Sequence, residues 1–303
     1  MGSVLECLPQ DCRVAILRLR SLGDCVLTTP AIDILKRFRP DLRLAVVVED
    51  RFRAVFEGNP DLDRILRPEP AALRTWRPRL CLNLHGGSRS AWLTALSGAR
   101  HRAGFAHFRR RFVYNLRIPR AQEILGMERV VHTAEHLASA MFHLGVPLGE
   151  IPRAKLFSEP GGDAPPRPLA ILHPFAATPQ KTWPRERFLA IAEHWKQSGL
   201  EPVFIGAAGD DLSPFSSYRT ASGTLSETKR LLKAASLFVG NDSGPAHMAA
   251  AFGLPVVVIF GDSDPAIWGP WRTASAVVTS GGSIARVEVE QVIGALSRLR
   301  VPA

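Results

Sequence analysis

A chain of 303 residues that is 46% hydrophobic has the apolar material for two ordinary domains, and its longest apolar runs, 44–48 and 254–260, are too short for a membrane span. The formal charge of +10 is uneven: residues 1–160 carry 25 basic and 16 acidic side chains (net +9), and residues 161–303 carry 13 and 12 (net +1). The first half is therefore expected to face something anionic; arginine outnumbers lysine 32 to 6, a bias that explains basicity but not its asymmetry.

Residues 14–19 read as an opening strand, Ser21-Leu22-Gly23-Asp24 as a turn, and 28–38 as an amphipathic helix with Pro30 near its start. Strands are expected at 42–48 and 79–84, the latter leading through Gly86-Gly87 into a helix over about 88–96. The stretch 100–120 holds seven arginines and no acid, with Phe105, Phe108, Phe112 and Tyr114 interleaved. Those aromatics could stack nucleic-acid bases, but their strand-like spacing suits a core better, and no nucleic-acid motif accompanies them, so no nucleic-acid partner is expected. A helix over 132–144 is closed by Gly145. Residues 159–168, rich in proline and glycine, read as a linker between domains 1–158 and 169–303.

The second half starts afresh with a strand at 169–173, a helix at 185–197, a strand at 202–205 and a helix at 225–235. A last helix, 287–299, is a candidate to pack back on the first domain. Strands alternating with helices in both halves predict an α/β protein of two Rossmann-like, doubly wound domains with parallel sheets, facing each other across a central cleft. The mixed first residues do not read as a secretory leader, and Cys7, Cys12, Cys25 and Cys81 have neither metal nor disulfide spacing. A reduced, cytoplasmic protein is the expectation.

The segment most informative about chemistry is Gly240-Asn241-Asp242-Ser243-Gly244-Pro245-Ala246-His247, between the apolar runs 237–239 and 254–260. It reads as strand, tight turn and helix start, and a helix start offers free N–H groups and a positive dipole end to phosphate. Asp242 and Ser243 could simply cap that helix, although capping requires neither Gly244 nor His247.

Ile16-Leu17-Arg18-Leu19-Arg20-Ser21-Leu22-Gly23-Asp24 with Thr28-Thr29-Pro30-Ala31-Ile32 resembles the N-terminal signature of glycosyltransferase family 9, whose best-known members are the heptosyltransferases of the lipopolysaccharide inner core. His173-Pro174 with Lys181-Thr182-Trp183-Pro184 resembles its central motif, and Gly240 to His247 with Phe260-Gly261 and Trp268-Gly269-Pro270 its C-terminal one. The resemblance implies a GT-B fold, with the acceptor on the first domain and the nucleotide-sugar on the second. It also implies an inverting, metal-independent transfer without cofactor, of heptose from ADP-heptose to an anionic glycolipid acceptor. Peripheral contact with the inner-membrane surface is one further use for the basic half. The alternative is an enzyme of the same fold with another nucleotide-sugar or a non-lipopolysaccharide acceptor.

Carried onto this chain, the resemblance makes Asp24 the base; by sequence alone, capping of the following helix fits it equally. Lys181 would stabilise the diphosphate or meet the sugar. Donor-binding candidates are His173, Thr182, Asp210, Asp242, Ser243, Gly244, Pro245 and His247, with His173 also readable as a core residue. Acceptor-binding candidates are Gly23, Arg51, Arg53 and Arg89, with the Arg109-Arg110-Arg111 run on the acceptor side or on an outer surface. Asp61 and Asp63, which follow Asn59-Pro60, read as a surface turn, and no metal site is expected. The chain departs from the pattern at Asp210-Asp211, where a glutamate is usual, in the shortened stretch 211–226, and at Asp262. Trp268 and Trp271 could be core aromatics or part of a wall near the donor.

Overall fold

A computed structural model describes residues 3–159 and 167–299. The chain divides into two compact units, Met1–Phe157 and Ser158–Ala303. Most of the expected linker, residues 160–166, lies outside the described residues. No helix among the described residues is long and apolar enough to cross a membrane.

The first unit alternates strands β1 (Arg13–Leu17), β2 (Arg43–Val47), β3 (Arg64–Leu66), β4 (Leu80–Asn83), β5 (His101–Phe105) and β6 (Leu116–Ile118) with helices α1 (Leu22–Phe38), α2 (Pro70–Trp76), α3 (Ser88–Leu96), α4 (Ala121–Leu125) and α5 (Thr133–Leu144). Its parallel sheet has the order β3-β2-β1-β4-β5-β6, so the winding reverses between β1 and β4. Val14 to Leu17 are wholly buried, as a parallel strand covered on both faces requires.

Helix α1 corrects the sequence expectation. It begins at Leu22, so Gly23 and Asp24 lie in its first turn rather than in a turn before it, and Pro30 lies in its interior. Pro30 has no N–H for the Val26 carbonyl, and the Thr29 hydroxyl donates to that carbonyl instead at 2.8 Å, which lets the helix continue. All residues from Cys25 to Leu35 are buried, and α5 packs against this helix. Within the basic stretch, Phe105 and Tyr114 are core residues, whereas Phe112 is 64% exposed.

The second unit repeats the plan with β7 (Leu169–His173), β8 (Glu201–Gly206), β9 (Arg219–Ser222), β10 (Ala235–Asn241), β11 (Val256–Ile259) and β12 (Ser275–Val278), and helices α6 (Arg185–Gln197), α7 (Leu225–Ala234), α8 (Gly244–Phe252), α9 (Pro265–Trp268) and α10 (Val289–Arg298). The order β12-β11-β10-β7-β8-β9 reverses between β7 and β10. Its core gathers Trp183, Phe188, Phe204 and Val239, and α10 buries Val292, Ala295 and Leu296 in it, so that helix uses its apolar face within its own unit. Gly240 permits the close approach of β10 to β7: a Cβ there would lie 3.1 Å from the His173 carbonyl oxygen and 2.8 Å from the Phe238 ring.

Candidate functional site

Doubly wound sheets bind ligands beyond the carboxyl ends of their strands, where the winding reverses. In the second unit those ends carry His173 on β7 and Asn241, followed by Asp242 and Ser243, on β10. Asn241 is fully buried; its Oδ1 accepts the Trp183 backbone N–H at 3.0 Å and its Nδ2 donates to the Pro174 carbonyl at 2.9 Å. One side chain thereby fixes both ends of the segment that carries Lys181. Lys181 ends a short 3-10 turn, Pro179–Lys181, and its ammonium donates to Asp242 Oδ2 at 2.9 Å. The Asp242 side chain is 8% exposed, so the cation neutralises a nearly buried carboxylate while staying partly open to solvent. Gly261 leaves room for this turn, because a Cβ at 261 would collide with the Gln180 carbonyl oxygen.

Ser243 precedes α8, but its hydroxyl does not cap that helix. Oγ lies 3.1 Å from both His173 Nδ1 and the Asn241 carbonyl oxygen. The carbonyl can only accept, so the hydroxyl satisfies both contacts by donating to it and accepting from Nδ1–H. Burial pushes His173 down to about 4, so at neutral pH the ring is uncharged. Gly244 and Pro245 form the start of α8, and Pro245 contributes no N–H. His173, Lys181, Asp242, Ser243, Gly244 and Pro245 thus come together at one strand-end cluster.

The remaining donor candidates stand differently. The Thr182 hydroxyl donates to the Thr178 carbonyl at 2.9 Å. Asp210 follows β8 and accepts the Ala207 N–H at 2.7 Å, closing its own turn. His247 is 5% exposed inside α8, and Trp268 and Trp271 are half-buried rather than core residues. Among the described residues, no three His, Cys, Asp or Glu side chains group so as to hold a metal ion.

In the first unit the corresponding reversal lies between β1 and β4. Asp24 is the third residue of α1, and its Oδ2 accepts the Ser21 hydroxyl at 3.0 Å and faces the Ser21 N–H at 3.5 Å, which is a capping arrangement. The Arg18 guanidinium lies 3.6 Å from Oδ1; the Arg18 side chain is 7% exposed and that of Asp24 is 21% exposed. Arg18 Nε has no hydrogen-bond partner, and burial pushes this guanidinium below its ordinary value, opposed by Asp24. Burial, and after it the nearby Arg18 charge, push His85, just past β4, below its ordinary value. His136 on α5, stacked on Phe105 with centroids 4.1 Å apart, is pushed down to about 4, mainly by burial. Capping and base chemistry are compatible at Asp24, because only part of its carboxylate is occupied.

Glu49, two residues past β2, joins two of the acceptor candidates. Its Oε2 accepts Arg51 Nη2–H at 2.9 Å and its Oε1 accepts Arg89 Nη1–H at 3.3 Å. Arg53 does not join them: it bonds Glu57 at 3.2 Å and the Ile65 carbonyl at 3.2 Å.

Sequence reading missed Arg18, Glu49, His85, Asn83 and Asn241 as positioning groups. Asn83 ends β4 as Asn241 ends β10, and the two strands hold equivalent places in their sheets. Asn83 Oδ1 accepts the N–H groups of His85 (2.9 Å) and Gly86 (3.0 Å), while its Nδ2 donates to Tyr114 Oη (3.0 Å). The available signal was a lone asparagine at the end of an apolar strand run in both halves.

A family model described as glycosyltransferase family 9 (heptosyltransferase) matches residues 72–292. The chain is 24% identical over 297 residues to lipopolysaccharide heptosyltransferase 3 of Escherichia coli, covering 84% of each. Among solved structures it superposes on a family 9 glycosyl transferase from Veillonella parvula with a TM-score of 0.84 at 22% identity, covering 96% of this chain and 97% of that one. It superposes on E. coli heptosyltransferase WaaC with ADP with a TM-score of 0.77 at 19% identity, covering 94% and 99%. WaaC is also solved with ADP-2-deoxy-2-fluoro heptose.

Proposed function

The chain belongs to glycosyltransferase family 9 and has the GT-B fold, and from that premise we propose that it transfers heptose from ADP-heptose to an anionic glycolipid of the lipopolysaccharide core type. The observation that carries the donor half is the strand-end cluster of Lys181, Asp242, Ser243 and the start of α8. As the anomeric C–O bond to the diphosphate breaks, its electron pair leaves on the diphosphate, which Lys181 and the α8 N–H groups stabilise. The acceptor oxygen forms the new glycosidic bond and its proton goes to Asp24. A thermal-shift panel of ADP-, UDP- and GDP-sugars tests the donor: ADP-heptose should raise the melting temperature selectively. A selective response to another base would favour the same fold with a different donor.

Lys181 serves two negative groups in this reading, so its removal should hurt twice. Lys181→Ala should weaken donor binding by about tenfold to a hundredfold, because Asp242 is then left uncompensated beside the diphosphate. Asp242→Asn in that background should recover part of the loss. Calorimetric titration of donor into the wild type and the single and double variants, with a chelator present, checks this. Wild-type affinity in Lys181→Ala would separate Lys181 from the diphosphate, and equal affinities in the two variants would remove Asp242 from the effect.

On the acceptor side, Arg51 and Arg89 share Glu49 and can present two guanidiniums to one carboxylate or phosphate. Arg89→Gln should raise the acceptor Michaelis constant by about threefold to tenfold, leave that of the donor unchanged and flatten the salt dependence of acceptor use. Unchanged acceptor kinetics across a salt series would remove Arg89 from this role.

A further inference from the structure

Six large hydrophobic side chains of the described residues stand exposed, and three of them, Trp92 (47%), Leu96 (43%) and Phe112 (64%), share one face of the first unit. Trp92 and Leu96 are four residues apart on α3, hence on one side of it. The Phe112 ring meets Trp92 edge-on with centroids 6.3 Å apart, and the Arg110 guanidinium lies 5.5 Å over Trp92 while its Nε donates to Ser88 Oγ. The aromatic pair is therefore held in place rather than loosely displayed.

Arginines border this apolar patch on two sides. Arg109 and Arg111 are exposed beside Arg110 and Phe112. At the other end, Arg74 Nε donates to the Leu96 carbonyl at 3.2 Å, and Arg74, Arg77, Arg79 and Arg100 line a cleft of about 320 Å³ next to Ser97 and Gly98. None of these seven arginines forms an ion pair with an acid among the described residues. Seven uncompensated guanidiniums around exposed aromatics repel one another unless anions arrive to meet them.

We propose that this α3 face docks on the surface of an anionic phospholipid bilayer, with Trp92, Leu96 and Phe112 at the headgroup boundary and the arginines on lipid phosphates. Tryptophan and phenylalanine suit that boundary, and each basic residue near an anionic leaflet strengthens partition by roughly fivefold. A second copy of the chain fits poorly, because two such faces would bring like charges together. Single-stranded nucleic acid also fits poorly, since Arg110 already covers one face of Trp92 where a base would stack.

Co-sedimentation of the full chain with vesicles that contain no glycolipid tests this independently of the acceptor assignment. The chain should bind vesicles of phosphatidylglycerol in phosphatidylcholine, release as salt rises, and ignore phosphatidylcholine alone. Trp92→Ser with Phe112→Ser should weaken partition by roughly tenfold to a hundredfold. Arg109→Gln with Arg110→Gln and Arg111→Gln should weaken it on the order of a hundredfold. A donor-induced thermal shift at the wild-type level in the aromatic variant shows that its fold and donor site are intact. Absence of wild-type partition, or partition unchanged in both variants, overturns the proposal. Oligonucleotide binding, or dimerisation, that both variants abolish while wild-type protein ignores the vesicles overturns it in favour of those partners.

Discussion

Replacing Asp24 by asparagine should lower turnover by about two to four powers of ten and leave the donor dissociation constant within about twofold. Asparagine keeps the size of the side chain and an oxygen for the Ser21 hydroxyl, so the start of α1 survives. What it loses is the capacity to take the acceptor proton, together with the negative charge facing Arg18 at 3.6 Å. The second loss is structural, since Arg18 is nearly buried and would stand uncompensated. Steady-state kinetics and a melting curve on the same sample separate the two. A base predicts a collapse of turnover at a melting temperature that moves by only a few degrees. Turnover near the wild-type rate would exclude Asp24 as the base, and a loss that follows unfolding would assign it to the cap alone.

The second large effect should come from Asn241→Ala. The buried Trp183 N–H and Pro174 carbonyl would each lose their partner, and an unsatisfied buried polar group costs about 1–3 kcal/mol. Together these predict a loss of about 2–5 kcal/mol, read as a melting temperature about 5–15 °C lower for a unit of this size. Donor binding should fall as well, because the same two bonds hold the ends of the segment that carries Lys181. Denaturant melts and donor titration on one preparation check both effects. Wild-type stability in this variant would mean that water replaces the amide and that Asn241 does not organise the site. Leucine at 241 should be worse than alanine, because it also excludes that water.

How much of this was legible in the chain depended on the depth of each element. Strands at the middle of the sheets, β1, β2, β4, β7, β8, β10 and β11, are apolar runs because parallel strands are covered on both faces, and they stand out in the sequence. The four edge strands of the described sheets, β3, β6, β9 and β12, went unread. They are three or four residues long and mostly exposed or half-buried, so neither length nor periodicity marks them. The interior strand β5 was also unread, because His101 and Arg102 open it. The start of α1 was misplaced for a different reason: Pro30 reads as a helix start, and the Thr29 hydroxyl that keeps it inside the helix is a three-dimensional detail.

By itself, then, the sequence determined the alternating α/β class, the two halves, and the strand-end segments where Asp24, His173, Lys181 and the turn after β10 stand, because these are local patterns of apolar runs, glycine and proline. Only the tertiary structure decided who meets whom. Lys181 meets Asp242 across 61 residues, Glu49 meets Arg89 across 40, and Trp183 leans on Asn241 across 58. It also decided that Arg18 is buried beside Asp24 while Arg109 and Arg111 stay outside, although all are arginines in basic stretches. Charge and residue type are written in the chain, but burial and partnership depend on which strand ends the winding of a sheet brings side by side.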